Sequence, residues 1–393
     1  MRKACLYFYD GYCLFSKRLF IHLLLILELF AALLALNLTV STVQELYADV
    51  NMLRRADQNA VFVMPMHNPA LSPDENPDLS QIQGTYTVGE GYRVALYASF
   101  PIRSTTLYTA PLVDGMKIPL AKGDWNAGVL LKDGTSYYPV IVSREGPVYL
   151  GDTFLATTDQ EPIGCYVAGV LDDRKRYIAL SSSSSAASTQ QVIGVCDEGL
   201  SVFCNEAYVP RSLFDNIVPM NNKVLIFENL SEEQKMANAT LLRNQGFSFG
   251  VDEIIENSLV IIRDQARYFF PLSFCVLLVG VVGLLSVSAL SLYQNREYFK
   301  AVLLCGGRRR DCMAIALCRD FVTTLIVAGL LCITWLGSWV LGTAPALSWW
   351  NLLLTGAVLL AILLLNSLIP FSFFRRAQAK TLLLSEGDTE RHD

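Results

Sequence analysis

Residues able to do chemistry are few. The three histidines are His22 inside an apolar run, His67 in the loop Met64-Pro-Met-His-Asn-Pro, and His392 near the last residue. No His-x-x-x-His, Cys-x-x-Cys or Gly-x-Ser-x-Gly occurs, so zinc ligation and an α/β-hydrolase nucleophile lack their usual spacing. No activated-nucleophile pattern marks a Ser/Lys hydrolase either. Gly306-Gly-Arg-Arg-Arg-Asp is not a phosphate loop, and with no Gly-x-x-x-x-Gly-Lys-[Ser/Thr] elsewhere, energy from ATP would have to arrive through a partner. The expectation is a chain with no catalytic centre, metal or cofactor.

Three further sets of residues carry a chemical question. Cys165, Cys196 and Cys204 are the cysteines of the long central segment. Cys196 and Cys204 flank an expected hairpin and can bridge in an oxidising compartment, although an odd count argues against a disulfide framework. Glu28 lies mid-way along the first apolar run, where an isolated charge is costly. With no basic residue inside any apolar run, it reads as a neutral or bundle-facing Glu hydrogen-bonded to a neighbouring helix; a functional role is the alternative. His22 is expected at the membrane interface. The sequons at Asn37, Asn229 and Asn238 are most simply chance.

The elements that must position these residues follow from composition. Of 393 residues, 52% are hydrophobic and 17% charged, against about a quarter charged in soluble domains. The large aliphatic and aromatic content excludes disorder, and a net charge of -5 gives nucleic acid no basic face. Residues 41–267 carry 17 Lys/Arg and 27 Asp/Glu, net -10, while the rest is net +5. The first apolar run, 19–40, is long enough for a hydrocarbon core of about 30 Å. It is long for a signal-peptide core and lacks a small-x-small cleavage site, so it reads as an uncleaved anchor. Between Arg267 and Arg296 stand 28 uncharged residues, and between Asp320 and Arg375 stand 54, which Gly342-Thr-Ala-Pro345 breaks into a hairpin. The expected spans are 19–40, 268–293, 320–341 and 348–373.

Lys/Arg distribution sets the expected orientation. The basic residues of 1–18, of the loop 294–319 and of the tail 374–393 fall on one side, which is read as cytoplasmic; 41–267 then faces outward. Within 41–267, Leu46, Val50 and Leu53 form one helical stripe that extends the first span. Short β-rich runs follow at 61–64, 92–97, 138–142, 153–156 and 165–170, with turn signals between them, and Ser181–Ser185 reads as a mobile loop. Val224-Leu-Ile-Phe reads as a strand, Ser231-Glu-Glu-Gln as a capping box opening a helix to about Asn244, and Phe247-Ser-Phe as a strand. Asp252 caps a helix running into the second span. The expected fold class is a membrane protein with four transmembrane α-helices and one α+β extracytoplasmic domain inserted between the first and second, a βαβ-like module between stalk helices with a β-rich insertion.

This four-span layout resembles the MacB/FtsX-type permeases of ABC transporters. Arg296 and Glu297 match the Arg-Glu pair that opens the family's cytoplasmic segment, and Cys305-Gly306-Gly307 stands where Leu-Gly-Ala is usual. Pro111-Leu-Val-Asp-Gly, Tyr138-Pro-Val-Ile-Val-Ser, Leu150-Gly-Asp-Thr-Phe and Val167-Ala-Gly-Val-Leu follow the order of MacB-type core domains, and Pro370 before basic residues resembles the family's ending. The resemblance implies a homodimer or heterodimer of permeases on two copies of a separate ABC ATPase. Residues 296–310 would be the segment that docks on it: Arg296, Glu297, Lys300, Leu303, Leu304, Gly306, Gly307, Arg308, Arg309 and Arg310. A short amphipathic helix with Val302 and Leu303 on one side and Lys300 and Arg308 on another suits a protein groove; a merely solvated basic loop is the alternative, which would leave Leu303, Leu304 and the Gly pair without a role. The resemblance further implies ATP-driven movement of the exterior domain through the stalk helices. Three functions fit: export or extraction of an amphipathic, peptide or lipid-linked substrate; a scaffold that regulates an extracytoplasmic cell-wall hydrolase; or a tethered receptor or enzyme without an ATPase. Membrane lipid is the remaining expected contact, and no nucleic acid.

Overall fold

A computed structural model describes residues 2–65, 79–180, 188–196, 199–341 and 348–376. His67, His392, Ser181–Ser185, the turn Gly342–Pro345 and most of the C-terminal tail lie outside the described residues. The chain divides into two compact units, residues 1–43 with 265–393, and residues 44–264. Nine α-helices are present among the described residues: α1 (Arg2–Ser16), α2 (Leu19–Leu53), α3 (Ala110–Met116), α4 (Thr189–Val192), α5 (Glu232–Gln245), α6 (Val251–Gln294), α7 (Arg296–Leu304), α8 (Arg309–Leu341) and α9 (Trp349–Arg376). Four of them, α2, α6, α8 and α9, are long and apolar enough to cross a membrane.

In the helical unit, Leu25, Leu29 and Leu33 of α2 pack with Leu277 and Leu284 of α6, Val322 and Val327 of α8, and Leu359 and Ile362 of α9. Gly280 and Gly283 admit α2 closely: a Cβ at either would stand 3.2 and 3.3 Å from Leu29 and from Glu28 and Leu25, the small-residue approach usual between membrane helices. The N-terminal segment is a helix that packs along α8. Gly11 is a point of close approach, where a Cβ would lie 2.8 Å from the Arg319 backbone nitrogen.

The inserted unit is α+β. Its first sheet holds β1 (Ala60–Pro65), β2 (Thr85–Gly89), β15 (Lys223–Glu228) and β16 (Gly246–Gly250) in the order β16-β1-β15-β2. β15 and β16 both run antiparallel to β1 and are joined by α5, so they form a βαβ unit split by β1. The capping box that opens α5 is reciprocal: Gln234 N–H donates to Ser231 Oγ at 3.2 Å, and Ser231 N–H to Gln234 Oε1 at 3.0 Å.

Inserted between β2 and β15 is a larger sheet of β3 (Gly91–Val94), β4 (Tyr97–Ala98), β5 (Ile102–Tyr108), β6 (Leu120–Gly123), β7 (Leu130–Lys132), β8 (Thr135–Val142), β9 (Thr153–Thr157), β10 (Pro162–Leu171), β13 (Leu200–Asn205) and β14 (Val218–Pro219). β5 pairs in parallel with β13, and β8 with β10. Its core is aliphatic, around Leu107, Val140, Val142, Val167 and Val202. β11 (Arg176–Ile178) and β12 (Ile193–Val195) make a separate two-stranded hairpin. The run 92–97, expected as one strand, is broken into β3 and β4, which pair with different neighbours.

Cys196, Cys204 and the sequons at Asn37 and Asn238, all singled out in the sequence, fall at buried positions. Cys196 and Cys204 are not bridged to each other, and both are buried. They do not flank one hairpin. Cys196 follows β12, while Cys204 is inside β13 of the large sheet, and its burial, with Cys165 beside it, pushes its thiol well above the ordinary range. Asn37 and Asn238 are only 3% and 2% exposed, which removes them as glycosylation acceptors.

Candidate functional site

The loop between the second and third long helices is short and structured. α6 ends at Gln294, the chain turns at Asn295, and α7 begins at once. Phe299 is wholly buried among Leu14, Leu292, Cys312, Ile315 and Phe374, meeting the Phe374 ring edge-on at 5.2 Å. Val302 and Leu303 pack on the same cluster. Both are half-buried there, so part of the helix's apolar side is covered within this chain. Lys300 is also 92% covered and bonds Glu297 at 2.9 Å; Arg296 reaches the same carboxylate at 3.4 Å. The Lys300 hydrogen bond is the main reason that the Glu297 carboxyl sits below the ordinary range.

The Gly pair has a local structural role. Gly306 has φ +89°, in the left-handed region. Gly306 N–H donates to Leu303 O at 3.2 Å and Gly307 N–H to Val302 O at 2.9 Å, the paired bonds of a Schellman cap. A Cβ on Gly307 would stand 2.6 Å from Val302 O. Arg308 N–H then donates to Asp311 Oδ2 at 2.7 Å, capping α8, and Tyr7 of α1 donates to Asp311 Oδ1 at 2.5 Å. What this framework leaves outward is Leu304, 70% exposed, and the run Arg308, Arg309 and Arg310, also exposed. One apolar side chain thus stands beside three guanidinium groups, a chemistry that suits a carboxylate-bearing surface.

A second site was not legible as such in the sequence. Arg319 has no exposed surface, although it was placed just outside the third span and the apolar runs were read as lacking basic residues. It lies well inside α8. Its Nε and Nη2 donate to Asp320 Oδ1 at 2.8 and 2.6 Å, and Nη2 also to Ser288 Oγ of α6 at 2.8 Å. Asp320 Oδ2 accepts from Ser288 Oγ at 2.8 Å and from Asn366 Nδ2 of α9 at 2.7 Å. The carboxylate thus receives four hydrogen bonds from three helices. His22 is buried nearby: its ring lies 4.7 Å from Phe15, and its Nδ1 is 3.5 Å from Thr323 Oγ1. Glu28, by contrast, is half-buried against Gly283 and, among the described residues, makes no hydrogen bond to a neighbouring helix.

In the inserted unit one small hairpin holds both long helices. Arg176 of β11, 3% exposed, pairs through Nε with the Asp49 carboxylate and through Nη2 with Glu45 O at 3.3 Å, both on α2. Thr189 of α4, which leads into β12, donates its N–H to Ser258 Oγ of α6 at 2.8 Å.

No protein-family model matches this sequence, and no curated protein does. Among solved structures, the periplasmic region of MacB from Actinobacillus actinomycetemcomitans matches at 14% identity, covering 52% of this chain and 94% of that one, with a TM-score of 0.28. A score that low carries no argument. The fold described above rests on the four apolar helices and the α+β domain between the first two.

Proposed function

We propose that this chain is the permease subunit of an ABC transporter, driven by a separate ATPase that docks on Leu304 and Arg308–Arg310. The observation that carries the reading is mechanical. α2 and α6 are single helices of 35 and 44 residues that continue from the helical unit into the inserted one, about 52 and 66 Å at 1.5 Å per residue. Both are clamped by the β11–β12 hairpin and its approach, through Arg176–Asp49 and Thr189–Ser258. No loop separates either membrane helix from its part in the inserted unit.

In this reading the termini and the α7 loop are cytoplasmic, as the basic flanks favour, the inserted domain is extracytoplasmic, and two permease copies work as a homodimer or heterodimer. ATP-driven closure moves the domain, and the domain exports or extracts an amphipathic, peptide or lipid-linked substrate. The clamped levers serve equally a scaffold that switches an extracytoplasmic cell-wall hydrolase.

Purification of the tagged full-length chain in mild detergent tests the ATPase partner. A stoichiometric ATPase is expected, lost on charge reversal of Arg308–Arg310 or on Leu304→Asp with helical content unchanged. Leu303→Asp is unsuitable because Leu303 packs in the chain's own cluster. Retention of no ATPase by the wild-type chain would refute the reading.

A further inference from the structure

The inserted unit carries an apolar strand with an open edge. β7 pairs with β8 alone, in the register Leu130–Tyr137, Leu131–Ser136 and Lys132–Thr135. β10 joins β8 only from Tyr137 onward, opposite Gly164, so the β7–β8 turn extends past the sheet, and residues 128–136 are all exposed. Leu131, at 74%, is the most exposed large apolar side chain of the inserted unit among the described residues, with Val129 and Leu130 beside it. Successive exposed apolar residues of this kind mark a functional surface, and an open strand edge is a template for another strand. The turn fixes which backbone groups are on offer. Asp133 and Gly134 have φ +51° and +76°, the two-residue loop whose flanking residues, here Lys132 and Thr135, exchange hydrogen bonds. Pairs alternate along an antiparallel ladder, so Leu131 and Ser136 form a pair without such bonds, and Leu131 N–H and C=O point away from β8. No backbone group outside the ladder meets them among the described residues.

We infer that β7 pairs, antiparallel and about a two-fold axis at Leu131, with β7 of a second copy of this chain. Leu131 N–H of each copy donates to Leu131 O of the other, and the two Leu131 side chains meet on one face of the joined sheet. Lys132 of each copy lies opposite Leu130 of the other and lays its methylene stem on that side chain. The one charge of the strand Leu130-Leu-Lys132 therefore faces no charge. The size of the contact selects the occupant. β7 has three residues, and pairing it buries far less than the roughly 1,000 Å² that a free-standing interface needs. Such an edge is filled by a strand already held nearby at high effective concentration, as a copy anchored in the same membrane is. A soluble partner with no other hold would not stay. The inference rests on the two-copy reading above and names the surface at which the inserted domains meet.

The test uses the full-length chain in isolated membranes, expressed as two differently tagged copies, with the exposed Cys5, Cys275, Cys305 and Cys332 replaced by Ala. Leu131→Cys places thiols on residues whose Cα atoms are about 5.5 Å apart, within disulfide reach. Ser136→Cys sits one strand further out in each copy, about 15 Å from its equivalent and out of reach. Mild copper oxidation should join the two tags through Leu131→Cys and not through Ser136→Cys. Leu130→Cys in one copy and Lys132→Cys in the other are opposed in the same register and should link as well. Leu131→Pro in both copies should abolish that second link. Its ring stands where the outward N–H was, a place that edge strands tolerate, so β7 itself persists. Co-purification of the two tags in mild detergent, without oxidant, reads the two-copy reading by itself. Tags that co-purify without a Leu131→Cys link overturn the β7 pairing alone, and tags that neither co-purify nor link overturn both. Linking of Leu131→Cys to a different protein, equal linking by Ser136→Cys, or a 130–132 link that survives Leu131→Pro would also overturn the pairing.

Discussion

The buried pair Arg319–Asp320 gives the sharpest quantitative expectation. Removing one partner of a buried ion pair costs about 3–5 kcal/mol, whereas removing both with polar contacts kept is often neutral. The two single variants differ in kind. Arg319→Met leaves a carboxylate that retains Ser288 and Asn366 as donors, so about 3 kcal/mol is expected. Asp320→Asn leaves a guanidinium that cannot lose its proton, in a place with no exposed surface, and belongs at the upper end, about 5 kcal/mol. In the double variant Arg319→Met/Asp320→Asn no charge remains. The amide still has an oxygen for Asn366 Nδ2 and an N–H for Ser288 Oγ, and a loss within about 1 kcal/mol follows. The assay is titration of the purified chain in mild detergent with dodecyl sulfate, followed by helical circular dichroism. Single-variant costs below about 1 kcal/mol, or a double variant as costly as the sum of the singles, would refute the view that mutual neutralisation holds these three helices together.

Other expectations follow from local geometry. Gly306→Ala places a side chain at φ +89° and should destabilise the α7 cap by about 1–2 kcal/mol; Gly307→Ala, with Val302 O 2.6 Å from the new Cβ, should cost more, both read as faster amide exchange in 302–308. Burial pulls the Glu90 carboxyl up, but hydrogen bonds from Lys223 and Tyr92 outweigh it and hold it below its ordinary 4.5. The stabilisation that this adds is complete above pH 4.5 and is lost as pH falls through the lower folded value, so the melting difference between wild type and Glu90→Gln should shrink on acidification; a pH-independent difference would contradict it. Cys165 and Cys204, buried and with thiols pushed up, the former to about 12, should resist a polar maleimide that labels exposed Cys305, a contrast mass spectrometry of the labelled chain would check. Arg176→Met, by orphaning Asp49, should cost the inserted domain about 3 kcal/mol and raise its protease sensitivity.

Much of the architecture was carried by local signals. Uninterrupted apolar runs decide the four long helices, because backbone polar groups in lipid are satisfied only within the segment. The Ser231–Gln234 box and the β-branched runs of β1, β8, β10 and β15 are equally local, since each is a propensity or a bond spanning a few residues. The exposed face of Leu304 and Arg308–Arg310 was visible too, but its scaffold was not. Only the fold shows that Val302 and Leu303 turn inward onto Phe299 and Phe374, and that the Gly pair closes a helix.

What the tertiary structure alone decided depends on residues far apart in the chain. β5 and β13 were missed because Ser104, Thr105, Thr106 and Ser201 read as polar; in the fold Ser104 and Ser201 bond each other, and Ser201 N–H meets Ser143 Oγ. Arg319 looked like one more flanking cation until Ser288 and Asn366 closed around its carboxylate partner, with Gly11 admitting α1 at the same level. Asn37 acquired an orphan acceptor only when Thr355 and Asn351 took its other atoms. Hydropathy and helical period are sums over neighbours along the chain, and so can be read from it. The state of a buried charge or acceptor is set by partners from other helices, and these are present only after folding.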